Sequence, residues 1–112
     1  MSDTQEIDSI EIDGIVKAII STVPVLEIYL FGSCANGTAK DDSDYDFYVV
    51  IPDDGIRARE ATWRIQGAIR NRTRGIDMLV NTKSRFDRYK NSVSFLESEV
   101  LRTGVKLYGV AV

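Results

Sequence analysis

The chain has 112 residues, room for one domain and not for two, and an ordinary apolar share of 44%. It lacks histidine and carries one cysteine, Cys34, which excludes histidine general bases, Ser-His-Asp triads, the common zinc sites and an internal disulfide. The net charge is only −3, yet residues 1–54 hold twelve acidic and two basic side chains while residues 57–90 hold ten basic and three acidic ones, so a basic face toward phosphate or an acidic partner is one reading and a solvated arginine-rich surface the other.

Ile7, Ile10, Ile15, Val16, Ile19 and Ile20 recur near helical spacing and predict a helix over 6–22, closed by Pro24. Residues 25–31 (VLEIYLF) read as a strand. Gly32-Ser33 turns the chain into a short helical or irregular piece to about Lys40. Asp41-Asp42-Ser43 is a polar turn, residues 44–51 are a second strand, and 52–55 are a loop. Ile56, Ala61, Ile65, Ala68 and Ile69 predict a helix over 56–73, broken by Gly75. Residues 75–80 form a third strand. Thr82 or Ser84 caps a helix through Phe86 and Tyr89. A last helix carries Val93, Phe95, Leu96, Val100 and Leu101 and ends at Gly104, and 105–109 form a short final strand. The fold class is therefore α+β: a small mixed sheet packed against helices, one domain over residues 1–112.

No apolar run approaches the ~20 residues of a membrane span. The polar, acidic start, Met1 to Glu6, does not resemble a secretory leader, and the cytoplasm is the expected compartment.

The strand over 44–51 raises a question. Asp44 and Asp46 stand two apart, so they share one face. Two like charges at the mouth of an apolar strand require a cation between them or open water. Asp77 poses the same problem inside Ile76-Asp77-Met78-Leu79-Val80. If the third strand lies beside the second, all three carboxylates join in one hard-oxygen patch suited to Mg²⁺. Gly32-Ser33, after a strand and before a short helix, can offer backbone N–H groups and a hydroxyl to an anion. An EF-hand reading of 42–46 fails, because Phe47 and Asp53 stand where that loop needs Gly and Glu. Asp41, Asp42, Asp53 and Asp54 read as solvated loop charges, and Cys34 as a small buried filler. Trp63 and Tyr89 read as helix-face packing rather than base-stacking platforms. The arginines from Arg57 to Arg74 spread around a helix and form no single nucleic-acid stripe; nucleic acid is not an expected partner.

Gly32-Ser33, ten residues, then Asp44-Tyr45-Asp46 resembles the G-S-x10-D-x-D signature of the DNA polymerase β-like nucleotidyltransferase superfamily, and most closely its minimal nucleotidyltransferase branch. Phe31, Ala35, Gly37-Thr38-Ala39, Ser43, the strand Phe47 to Val50, Ile76 to Val80 and the closing stretch Ser94 to Tyr108 match as well. Asn36 departs from the arginine frequent there. The resemblance implies a polymerase β-like fold and two-metal transfer of a nucleoside monophosphate from a triphosphate such as ATP. Asp44, Asp46 and Asp77 would be the catalytic and Mg²⁺-binding residues, and Gly32, Ser33 and Ser43 would bind nucleotide. Little chain remains for an acceptor pocket, so the resemblance further implies an acceptor on another protein: an all-helical HEPN-type toxin to which AMP is transferred, with this chain as the antitoxin. A non-catalytic antitoxin of the same fold and an aminoglycoside-type small-molecule nucleotidyltransferase are the alternatives.

Overall fold

A computed structural model describes residues 3–32, 44–69, 75–92 and 95–109. Their elements run in the order α1 (Asp3–Thr22), β1 (Glu27–Phe31), β2 (Tyr45–Ile51), α2 (Ala58–Ala68), β3 (Ile76–Thr82), α3 (Lys83–Tyr89), α4 (Leu96–Thr103) and β4 (Val105–Gly109). The strands form one four-stranded sheet in the order β3-β2-β1-β4. β1 pairs antiparallel with both β2 and β4, and β2 pairs parallel with β3. A parallel pair requires a crossover, and α2 supplies it. The result is the mixed sheet with helices expected from the sequence.

Period-two alternation splits each strand between two layers. On one face Ile28 and Leu30 of β1, Tyr45, Phe47, Val49 and Ile51 of β2, and Met78 and Val80 of β3 meet Ile15, Val16 and Ile19 of α1 and Ala61 and Ile65 of α2. On the other face Tyr29, Tyr48 and Val50 meet Phe86 of α3 and Val100 of α4. The Phe86 ring stacks on Tyr29, 5.5 Å between centroids, and leans on Tyr48 at 5.4 Å. β2 lies inside the sheet and is covered on both sides, which is why 47–51 read as an unbroken apolar run.

Several expectations shift. α1 begins earlier than the apolar periodicity suggests, and two of its isoleucines do not face the core: Ile10 is 74% exposed and Ile20 38%. α2 is shorter than 56–73. It stops at Ala68, where Ile69 turns extended (ψ 124°) and drives its side chain inward. Trp63 points outward from α2 and is 74% exposed, so the packing expected of it is not met. Tyr89 does pack, its ring 4.2 Å from that of Phe95, with the Arg85 guanidinium over it. Asp53 is exposed yet not merely solvated: it accepts the Ser84 N–H at 3.0 Å, while Thr82 accepts from Arg85 N–H as the N-cap of α3. On α4 only Glu97 and Val100 are buried; Phe95, Leu96 and Leu101 lie at the surface. Gly104 closes α4 through its N–H to the Val100 carbonyl, 2.8 Å. No helix among the described residues is long and apolar enough to cross a membrane.

Candidate active site

The parallel register between β2 and β3 aligns Asp46 with Asp77. Aligned residues on neighbouring strands point the same way, and strands lie about 4.8 Å apart. The two carboxylates therefore stand side by side, in hydrogen-bond reach, on the face that also carries Tyr48. Asp77 is on the same side of the sheet as the acid it was expected to join. Burial pushes the Asp46 carboxyl above the usual aspartate range; the charge and hydrogen bond of Asp77 add to this, and then the charge of Asp44.

Asp44 extends the same row by one step. The Tyr45 N–H donates to the Gly75 carbonyl at 2.9 Å and carries the pairing back beyond the first strand residue, so Asp44 stands across from Gly75. Its carboxylate rests against the Gly75 Cα, where a side chain at 75 would collide with it. Asp46 is seated in the same manner on Gly32. That glycine has φ +74°, a conformation L residues rarely adopt, and an added Cβ would strike the Asp46 carboxylate. One glycine thus turns the chain out of β1 and makes room for the second acid.

α3 and α4 pack on this face against Tyr29, Tyr48 and Val50. The acids occupy the other end, at the start of β2 and β3: Asp44 and Asp77 are exposed and Asp46 is half-buried. As the side chains stand, no three Asp, Glu or Cys among the described residues converge on one point. The Asp46–Asp77 pair nevertheless fits a divalent cation, since two hard oxygen donors already meet and their shared negative field raises the proton affinity of Asp46. A positive ion removes that repulsion, and Asp44 borders it. Ser33, Ser43, Cys34 and Asn36 lie outside the described residues, as do Arg70, Arg72 and Arg74.

Sequence reasoning missed the support behind these acids. Tyr48, two residues beyond Asp46 and fully buried, donates its hydroxyl to Glu97 Oε2 at 2.7 Å and accepts from Asn81 Nδ2 at 3.2 Å. Arg85 Nε stands 3.7 Å from the same Glu97 oxygen, and Glu97 is only 3% exposed. This network ties β2, β3, α3 and α4 together further along the sheet face that carries the acids. The available signal was a pair of polar groups, Tyr48 and Asn81, on the strand face shared with the acids. A second cluster lies on β1: Glu27 accepts from Tyr29 at 2.6 Å and pairs with Lys83 and Lys106 at 3.2 and 3.1 Å.

A four-stranded mixed sheet with two strand-borne acids aligned across a parallel pair, and a glycine turn beneath one of them, defines a protein of the nucleotidyltransferase class. The nucleotidyltransferase domain family matches residues 11–102, most of the chain, and the chain belongs to that family. None of the curated proteins matches the sequence. Among solved structures, a Sulfolobus solfataricus protein provisionally named a nucleotidyltransferase is similar at 23% identity and TM-score 0.62, over 88% of this chain and 78% of its own. A toxin–antitoxin crystallised with AMP-PNP is 28% identical, TM-score 0.60, over 88% of this chain and 73% of its own. The MntA-HpeT toxin–antitoxin, as a double Asp-to-Glu mutant, has 22% identity and TM-score 0.59 over the same shares.

Proposed function

We propose that this chain transfers a nucleoside monophosphate, AMP from ATP, to a hydroxyl of a partner protein, and that it serves as the antitoxin of a toxin–antitoxin pair whose toxin is an all-helical HEPN-type protein. The single observation carrying the catalytic part is the alignment of Asp46 with Asp77 across the parallel strands. Likeness to a toxin–antitoxin crystallised with AMP-PNP supports the nucleotide and the partner. The single cysteine and the lack of a membrane-spanning helix among the described residues favour the cytoplasm.

Asp44, Asp46 and Asp77 would hold Mg²⁺. Bound there, it supplies charge neutralisation at the phosphates and a more acidic acceptor hydroxyl. Gly32, with Ser33 and Ser43, would seat the outer phosphates, its backbone open to close approach. Asp44 and Asp46 would orient the triphosphate tail through the Mg²⁺ they hold, since two carboxylates by themselves repel it. Asp77, at the open edge of the row, faces the incoming hydroxyl. With no histidine in the chain, its carboxylate is the base within reach. The acceptor oxygen bonds to the α-phosphorus, the α–β bridging P–O bond breaks, pyrophosphate leaves, and the hydroxyl proton passes to Asp77. Catalysis here is positioning and electrostatics.

The non-catalytic reading sits poorly with the acid pair, since a half-buried carboxylate beside a second one costs stability and a pure binding module gains nothing from it. The test incubates the purified chain with labelled ATP, Mg²⁺ and a co-expressed helical partner. Label on the partner, abolished by Asp46→Asn, is the expected result. Tight binding without label, unchanged in Asp46→Asn, refutes the catalytic proposal.

A further inference from the structure

We propose that Gly75 is a positioning residue: its missing side chain creates the seat of the Asp44 carboxylate and so sets the outer edge of the acid row. The inference rests on the metal-binding reading of that row. Three observations carry it. The Tyr45 N–H to Gly75 carbonyl bond, 2.9 Å, pins the backbone of residue 75 across from Asp44. The three atoms nearest a Cβ at 75 would all belong to Asp44: Oδ1 in outright collision, Cγ at 2.9 Å and Oδ2 at 3.4 Å. Each of these is the far end of a flexible side chain, and no backbone atom stands among them. Third, Gly75 is not among the positive-φ glycines of the described residues, which are Gly32 and Gly109, so alanine can adopt its backbone without strain.

The two glycines under the acids therefore differ. At Gly32 a side chain offends both the backbone conformation and the Asp46 carboxylate, so fold and site fail together. At Gly75 only the carboxylate gives way. Asp44 must swing off its seat while the strand pairing stays as it is. A displacement of about 1 Å in a group that orients reactants can cost on the order of a hundredfold in rate. Glycine here is chosen for room, not for flexibility, and it governs the site without touching substrate.

The experiment uses the full chain as wild type, Gly75→Ala, and Gly67→Ala as a control, since a Cβ at the exposed Gly67 meets nothing within 4 Å. Three quantities are read: melting temperature without divalent ions, Mn²⁺ affinity by calorimetry with the metal alone, and the ¹³Cγ resonance of Asp44. Gly75→Ala is expected to melt at or slightly above wild type, because alanine narrows the unfolded ensemble. Its Mn²⁺ dissociation constant is expected to rise about tenfold or more, with transfer activity recovering as Mg²⁺ is raised, and its Asp44 resonance is expected to move. Gly67→Ala shifts neither metal affinity nor resonance. A folded Gly75→Ala that keeps the Asp44 resonance and wild-type Mn²⁺ affinity overturns the proposal. A large loss of stability also overturns it, since the Cβ would then be striking backbone. Should wild type bind no metal, the metal reading fails separately, and the resonance alone still decides whether Gly75 seats Asp44.

Discussion

Replacing Asp77 by asparagine should make this protein more stable while removing its activity. Asp46 and Asp77 are aligned neighbours, and the Asp46 carboxyl holds its proton more tightly in the folded state than in the unfolded one. Burial is the largest cause and the Asp77 charge the next. A carboxyl whose folded pKa lies above its unfolded value contributes stability fully present below the unfolded pKa and lost as pH rises through the folded pKa. At neutral pH the folded state therefore carries a penalty, part of it due to Asp77. Two unit charges 4 Å apart cost about 1 kcal/mol in water-like surroundings and about 4 kcal/mol at an effective dielectric near 20. Asp77 is exposed and Asp46 half-buried, which places the pair toward the lower figure. Asp77→Asn should thus gain about 1 kcal/mol, or about 4 °C in melting temperature for a domain of this size. Thermal melts in EDTA at pH 7.5 and again at about pH 3 measure it; the gain belongs to the first condition and should vanish in the second, where Asp46, its carboxyl pushed above the usual aspartate range, has taken up its proton and no longer repels its neighbour. Label transfer, assayed in parallel, should be lost. Equal or lower stability of the variant at pH 7.5, or a gain that persists in acid, would refute the electrostatic account of the pair.

Tyr48→Phe removes the hydroxyl that satisfies buried Glu97 and should cost about 1–3 kcal/mol in urea unfolding, with strong coupling to Glu97→Gln in a double-mutant cycle. Glu27 obeys the opposite pH rule to Asp46: burial alone would raise its carboxyl, but hydrogen bonds from Tyr29, Lys106 and Lys83, with the Lys83 charge, outweigh it and hold the group below the usual glutamate range. Its contribution is present above the unfolded glutamate pKa and lost as pH falls through the folded one, so the stability gap between wild type and Glu27→Gln should be widest near neutrality and close on acidification below about pH 4.

The strands were legible because each is a short β-rich run between breakers, and the parallel β2–β3 pair follows from a helix-length connection. The three acids were legible because a carboxylate in or beside an apolar strand is costly without a purpose. Helix faces were read less well. In α1, α2 and α4 apolar residues outnumber the positions that can reach the sheet. Ile10, Trp63 and Leu101 therefore project outward, while Glu97 takes an inward position that no periodicity assigns to a carboxylate.

Chain order and residue type by themselves determined the fold class and the identity of the acids on β2 and β3, since alternation and connection length are local properties. Only the tertiary structure decided the register that sets Asp46 against Asp77, the seats that Gly32 and Gly75 leave for carboxylates, and the burial of Glu97 under Tyr48. Those depend on which strand lies beside which and by how many residues it is offset, and that offset is settled by the packing of both sheet faces at once.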